Sequence, residues 1–224
     1  MYKFFKRVFD LFAALLGLVL SAPIWLIAMI GITVSDPGPI FYKAKRIGYC
    51  GKEFCMYKFR SMRVPKKRGE ESEASFKADV NRIFAFGEFM RRTKIDELPQ
   101  LLNIIMNDMA IVGPRPASVD QIAVMREGKY AIANTVKPGL TGPAALYDYI
   151  YGDSVEDPAS YELLVLPTRK ELEAYYPTHM TAAYDIKIIW YTVVCVLAAV
   201  FGKKSRQILE ELIDCVSDQQ EASV

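Results

Sequence analysis

The chain has 224 residues, a length suited to one domain, and its 28 lysines and arginines nearly cancel its 26 aspartates and glutamates. That balance leaves no global electrostatic case for nucleic acid, whereas 52% hydrophobic residues and a mean hydropathy of +0.12 are high for a soluble protein and imply a membrane. Cys50, Cys55, Cys195 and Cys215 lack zinc-ligand spacing and His179 stands far from all of them. Reduced thiols in a cytosolic compartment are expected, and no Ser-His or Cys-His nucleophile recommends itself.

At the N-terminus, Lys3, Lys6 and Arg7 lie among Tyr2, Phe4, Phe5 and Phe9, and the 24 residues from Leu11 to Val34 carry no charge. About 20 apolar residues suffice to span a bilayer. A cleaved signal peptide is one reading, although the run exceeds the usual apolar region of roughly 7–15 residues. A straight transmembrane helix is a second, and a kinked, re-entrant helix pair a third. Pro23, near the middle of the run, removes a helix hydrogen bond, and Ser21 can satisfy a backbone group that a kink exposes. Asp36-Pro37-Gly38-Pro39 is a turn cluster that returns the chain to the interface.

Ile40 to Tyr42 and Phe54 to Phe59 read as short extended segments around turns at Gly48 and Gly51, with Lys43, Lys45, Arg46 and Lys52 interleaved. Basic side chains between aromatics suit anionic headgroups or a lipid phosphate. In an extended segment Lys58 and Arg60 would share one face. Residues 63–82 are charged and lack hydrophobic periodicity, which predicts a mobile loop. Phe84, Phe86 and Phe89 then restore the character of ordinary core.

Leu98, Leu101, Leu102, Ile105 and Met109 recur at intervals of three and four, one apolar helical face that begins just after Asp96 and Glu97. Pro99 is tolerable only in a first turn, which puts the helix start near Asp96. Free amides at such an end attract anions, and Arg91, Arg92 and Lys94 add positive charge beside them. Further on, the prolines of Gly113-Pro114-Arg115-Pro116 hold Arg115 in a set direction as a second phosphate or carboxylate clamp. For an isolated Asp-Glu pair, a helix cap beside a solvated basic face is the plainer explanation. The longer string changes that balance.

Val119 to Tyr130 reads as a helix of mixed charge, followed by an extended segment to Lys137-Pro138-Gly139. Tyr147 to Pro167, rich in Tyr, Asp and Pro, reads as a substrate-proximal loop. The 14 uncharged residues from Ile188 to Phe201 are too few to span a core about 30 Å thick, so an interfacial or core-packed helix is expected, with Trp190 and Tyr191 at headgroup level. After Lys203-Lys204-Ser205-Arg206, an amphipathic helix with Ile208, Leu209, Leu212 and Ile213 on one side is suited to the membrane surface or to another subunit. Three regions result: 1–36, 37–202 and 203–224.

The string Asp96-Glu97-Leu98-Pro99-Gln100-Leu101-Leu102-Asn103, with Asn107-Asp108-Met109 and Gly113-Pro114-Arg115-Pro116, resembles the signature of the bacterial sugar transferases, the monotopic polyprenyl-phosphate phosphoglycosyl transferases. Other parts of that family's pattern follow in order: the hydrophobic N-terminus, Gly38-Pro39-Ile40-Phe41, Arg46-Ile47-Gly48, Phe54 through Met62, and Lys137-Pro138-Gly139-Leu140-Thr141-Gly142. Pro143-Ala144-Ala145 departs from the Trp-Gln continuation of many members, and Ala22 separates the usual Ser-Pro pair of the kink, Ser21 and Pro23.

The resemblance implies a mainly helical α/β catalytic domain, membrane-associated through an N-terminal re-entrant hairpin and interfacial amphipathic helices, on the cytoplasmic face of the bacterial inner membrane. It implies that Asp96 attacks the sugar-bearing phosphate of a UDP-sugar, releases UMP and passes the phosphosugar to polyprenyl phosphate. Glu97 would help bind Mg2+, and Lys58, Arg91 and Arg115 would clamp phosphates, with Arg60 and Lys137 as further phosphate ligands. A homodimer is compatible with this reading. The competing expectation is a non-catalytic membrane-anchored scaffold of the same fold. A CDP-alcohol type phosphotransferase is disfavoured, because its multi-aspartate helical motif is missing.

Overall fold

A computed structural model describes residues 2–64, 80–155, 157–200 and 206–221. Most of the loop expected over 63–82, and the start of the last expected helix at 203–205, lie outside the described residues.

The apolar N-terminus forms one helix, α1 (Tyr2–Ser35), that continues through Pro23. Its buried residues, Asp10, Ala14, Ser21, Ala28 and Ile32, are spaced by fours and sevens, so they form one stripe along the cylinder. The opposite side carries Phe4, Phe12, Val19, Leu20, Ile27 and Val34, all exposed. Ser21 accepts a hydrogen bond from Trp25 Nε1 at 3.1 Å and itself donates to the Leu18 carbonyl at 3.4 Å, one turn before Pro23.

The two expected extended segments pair as an antiparallel hairpin, β1 (Phe41–Ile47) with β2 (Glu53–Phe59), in the register Tyr42 opposite Lys58 and Arg46 opposite Phe54. Its turn places Cys50 at φ 54° and Gly51 at φ 73°. Phe59 ends the strand, so Lys58 and Arg60 part company: the Arg60 amide turns to the Ile40 carbonyl.

The segment with three phenylalanines forms α2 (Ala85–Arg92). Phe84 is buried against Ala28 and Ile32 of α1, as expected of core, while Phe89 is exposed. Gly31 lets Phe86 in: a Cβ there would stand 2.3 Å from its ring.

The helix expected to begin near Asp96 starts later than the periodicity alone suggests. A 3-10 turn at Ile95–Glu97 comes first, and the α-helix proper, α3, runs Gln100–Ile105 with Pro99 as its cap. Pro99 has no N–H to continue an α ladder, so the first turn closes through Leu98 N–H to the Ile95 carbonyl at 3.2 Å. Leu101 and Ile104 pack with Ala14, Ala44 and Met56, which seats α3 between α1 and the hairpin.

Next come β3 (Ala110–Val112) and β4 (Ala117–Ser118). β4 adds to the hairpin beside β1, and β3 pairs in parallel with β5 (Gly139–Thr141). The helix expected over Val119 to Tyr130 shrinks to α4 (Ile122–Met125) and is followed by a 3-10 stretch, Gly128–Thr135, where an extended segment was expected. Gly128, at φ 56°, breaks the run.

The segment expected to be a loop near substrate is instead helical and partly core. α5 (Pro143–Ile150), α6 (Pro158–Leu164) and α7 (Leu166–His179) bury Tyr147, Tyr161, Leu172 and Tyr176 in one cluster. The uncharged run belongs to α8 (Ala182–Val200), five residues longer than the run itself, with Ile188 and Cys195 inward and Ile186, Trp190, Val193 and Leu197 outward. The final amphipathic helix, α9 (Arg206–Glu221), buries Ile208 and Leu212 in the same cluster as α5 and α7, while Ile213 on that side is exposed.

Candidate active site

The turn between α2 and α3 holds Asp96 and Glu97, the two carboxylates expected at the site. Its entry is Lys94, at φ 58° in the left-handed region that a residue with a Cβ rarely adopts. This conformation ends α2, and the Ile95–Glu97 turn follows it directly. Lys94 Nζ lies 4.2 Å from the centre of the Tyr149 ring and 3.7 Å from the Asp153 carboxylate, while the Tyr149 hydroxyl donates to the Arg92 carbonyl at 2.8 Å.

Asp96 and Glu97, adjacent in sequence, meet different surroundings. Asp96 is 4% exposed, and its Oδ1 is buried without a hydrogen-bond partner. Burial raises its pKa, Lys58 opposes that rise, Glu97 adds to it, and Lys94 and Arg91 oppose it. Glu97 receives Lys58 Nζ on Oε1 at 2.8 Å. Burial works against its charge as well, but Lys58, Lys94 and Arg115 together hold it well below the usual carboxylate range. One carboxylate is thus buried with an oxygen left unpartnered, and its neighbour is paired and held towards its charged form.

The tie that brings Lys58 to Glu97 is Asn103 on α3. Fully buried, it accepts the Tyr57 N–H at 2.9 Å and donates to the Cys55 carbonyl at 2.7 Å and to Asp108 at 3.3 Å. This side chain pairs with β2 as a neighbouring strand would. It fixes the strand that carries Lys58 against the helix that follows Glu97.

Arg115 comes in from the other side. Gly113, before it, is wedged where a Cβ would meet the Lys137 carbonyl at 2.4 Å, and the Gly139 N–H donates to the Pro114 carbonyl at 2.9 Å. The guanidinium lies 3.5 Å from Asp148, whose carboxylate also accepts the Tyr161 hydroxyl at 2.5 Å. Arg169 donates to Tyr161 at 2.9 Å and to Glu173 at 3.2 Å, and Arg126 pairs with Glu173 and donates to the Arg115 carbonyl at 3.2 Å.

Of the residues expected at the site, the structure gathers Asp96, Glu97, Lys58, Arg91 and Arg115 into one electrostatic neighbourhood. Arg60 is placed differently. It is buried, ion-paired with Asp36 and bonded to the Asp36 and Pro39 carbonyls, so it closes the turn after α1 rather than offering its fork to a phosphate. Lys137 likewise binds Asn107 and feels Arg7, Asp10 and Asp108 of the α1 side. Sequence reasoning quoted Asn103 in the signature string without giving it a role, and it assigned none to Asp148, Tyr161 or Arg126; Arg169 and Glu173, four apart on α7, left a local signal.

Among the described residues no three His, Cys, Asp or Glu side chains converge as a closed metal site. Mg2+ typically needs just one or two protein carboxylates plus phosphate and water, and Glu97, held charged by the cations around it, fits that demand.

The model of the family described as bacterial sugar transferase matches residues 1–199. Among similar proteins, the UDP-glucose:undecaprenyl-phosphate glucose-1-phosphate transferase of Xanthomonas campestris pv. campestris is 37% identical over 194 residues, covering 86% of this chain and 38% of that protein. The enzyme of the same name from Escherichia coli (strain K12) is 33% identical over 195 residues, 85% of this chain and 40% of its own. This chain therefore spans about two fifths of the length of those two relatives. The uncharacterized sugar transferase EpsL of Bacillus subtilis (strain 168) is 34% identical over 194 residues and is matched over 88% of its length. With this match over nearly its whole length, and the Asp96-Glu97 turn at its centre, the chain belongs to the bacterial sugar transferase family.

Proposed function

We propose that this protein transfers a phosphosugar from a UDP-sugar to polyprenyl phosphate, giving polyprenyl-diphosphate-sugar and UMP, as the first membrane step of a bacterial glycan. The observation that carries the reading is Asp96: a buried carboxylate with one unpartnered oxygen, ringed by Lys58, Lys94 and Arg91 and adjacent to a paired Glu97. The names of the relatives, with undecaprenyl phosphate as acceptor, support the substrate class.

In this reading an Asp96 oxygen bonds to the sugar-bearing phosphorus as the bond from that phosphorus to the bridging oxygen breaks, and UMP leaves with the electron pair. An oxygen of polyprenyl phosphate then attacks the same phosphorus and releases the Asp96 carboxylate. Burial strips water from Asp96 and raises its pKa, which makes its carboxylate more basic, while Lys58, Lys94 and Arg91 oppose that rise and offset the charge of the incoming phosphate. Arg115, aimed by Asp148, draws the remaining phosphate charge. Mg2+, held by Glu97 with phosphate and water, would supply further neutralisation of the diphosphate.

The setting is the cytoplasmic surface of the membrane, with α1 as a re-entrant element. Its two ends support this. Tyr2 and Lys6 bond Asp185 of α8 at 2.6 Å each, Arg7 donates to the Ile104 carbonyl at 2.7 Å, and Asp36, past the other end, pairs with Arg60. A helix that crossed a bilayer would separate those ends, yet both meet the same catalytic body.

The test is intact mass after brief exposure to a panel of UDP-sugars with Mg2+ and no lipid acceptor. A phosphosugar-sized gain on the wild type and none on Asp96→Asn is expected. Absence of both that gain and acceptor-dependent UMP release with every donor would instead favour a non-catalytic scaffold.

A further inference from the structure

Arg46 has no part in the chemistry above, yet the fold brings it to the same place. It lies on β1 opposite Ser118 of β4, and β4 starts two residues after Arg115, so the sheet brings the backbone at Arg46 close to the segment that carries Arg115. Strand alternation puts Arg46 on one face with Ala44, and pairing with β2 puts Met56 and Lys58 on that face too. The rung of Lys58 lies four residues away, about 13 Å along the strand at roughly 3.3 Å per residue. Arg115 acts electrostatically on both Glu97 and Arg46.

Arg46 is half-buried, and among the described residues its guanidinium donates no hydrogen bond and enters no ion pair. Burial, Arg115 and Arg169 work against its charge; Tyr42 and Asp120 favour it. Nearby, Arg115 pairs with Asp148, and Arg126 and Arg169 both pair with Glu173, so these carboxylates are already engaged by other guanidinium groups; the acidic group that favours the Arg46 charge is exposed Asp120. Unpaired, partly desolvated cations are costly to keep, and a planar fork of donors matches a phosphate.

We propose that Arg46 and Arg115, brought together by the β1–β4 pairing, form a second phosphate subsite that takes a phosphate not under attack. The ligand chemistry is a phosphate monoester or one arm of a diphosphate, supplied by the nucleotide or by the lipid acceptor. Asp148 is a positioning residue here, holding Arg115 towards the subsite, and Tyr161 and Arg169 hold Asp148 in turn. The identity of the two candidate ligands rests on the proposed function; the phosphate site itself does not require that transfer occur.

Binding of UMP and of farnesyl phosphate to the full chain, by calorimetry, tests this without reference to turnover. Arg46→Gln is expected to lose roughly tenfold or more in affinity for at least one probe, the loss of a charge-assisted pair. A loss for UMP alone assigns the subsite to the donor, for farnesyl phosphate alone to the acceptor, and for both to a shared phosphate. If Arg46→Gln does not fold, Arg46→Lys takes its place: it keeps the charge without the fork and is expected to lose severalfold. Affinities within twofold of wild type for both probes, or a wild type that binds neither, overturn the subsite. A wild type that binds UMP but gains no phosphosugar mass sinks the proposed transfer and leaves the subsite standing.

Discussion

Asp96 and Glu97 are neighbours in the chain, and their surroundings divide the work between them. Burial dominates at Asp96 and raises its pKa; at Glu97 the cations outweigh burial and lower it. A group whose folded pKa is raised stabilises the fold below its unfolded pKa, and that contribution is lost as pH rises through the folded value. Asp96 therefore weakens the fold at neutral pH, so Asp96→Asn is expected to raise the melting temperature there, roughly 2–4 °C for each kcal/mol recovered. The gain should vanish in acid, where Asp96 is protonated anyway. The same variant should lose about three orders of magnitude or more in UMP release. A melting temperature lower than wild type at pH 7 would contradict the argument that Asp96 is held charged at a cost. Lys58→Met removes the largest charge favouring ionisation of both carboxylates. Its pH–rate profile should have an acid limb displaced upward, with a stability loss of about 1–3 kcal/mol, less than for a fully buried pair because Lys58 and Glu97 keep 20% and 17% of their surface. The sequence exposes the Asp-Glu pair because it is local. It cannot expose Lys58 with Glu97, 39 positions apart, or the Asp148 that aims Arg115, since those contacts exist only once the hairpin and α5 are packed.

At the scale of elements, the site is a junction of α2, α3, β2 and the loop after β3, and one side chain sets much of its register. Asn103 satisfies the Tyr57 N–H and the Cys55 carbonyl, two backbone groups that a helix neighbour could not otherwise serve. Asn103→Leu is expected to cost about 2–4 kcal/mol, because it leaves both groups buried and unpaired. It should also slow transfer in protein that remains folded, as Lys58 loses its fixed approach to Glu97. Thermal unfolding and UMP release on the same preparation separate the two effects, and unchanged turnover at reduced stability would confine Asn103 to a structural role. The period of Leu98, Leu101 and Leu102 announces the helix but not its 3-10 beginning, which follows from what Pro99 cannot donate. Arg60 shows the converse limit. Alternation along an extended strand pairs it with Lys58, and the strand simply ends one residue too soon.

For the whole molecule the question is how α1 meets the membrane. Straight, its 34 residues would run about 51 Å at 1.5 Å per residue, far more than the roughly 30 Å hydrocarbon core. Its exposed side is almost wholly apolar, as is the outer side of α8, and its buried stripe contacts α3 through Ala14 and Gly17 and α2 through Gly31. A polar cluster holds its first turns: Asp185 accepts Tyr2, Lys6 and Tyr176, and Asp10 accepts the Ile111 N–H at 3.1 Å, which ties the helix to β3. Breaking that cluster to thread the N-terminus across a bilayer would strand the buried carboxylate of Asp185. Both ends of α1 are therefore expected on one side of the membrane. Lys3 is exposed at one end, and native Cys50 and Cys55 are exposed on the hairpin beyond the other. In sealed vesicles of defined orientation, Lys3→Cys in a Cys50→Ser, Cys55→Ser background should react with a membrane-impermeant maleimide from the same side as the native thiols. Labelling of the introduced thiol from the opposite side would mean that α1 crosses the bilayer, that its bonds to Asp185 are not kept there, and that the re-entrant arrangement must be abandoned.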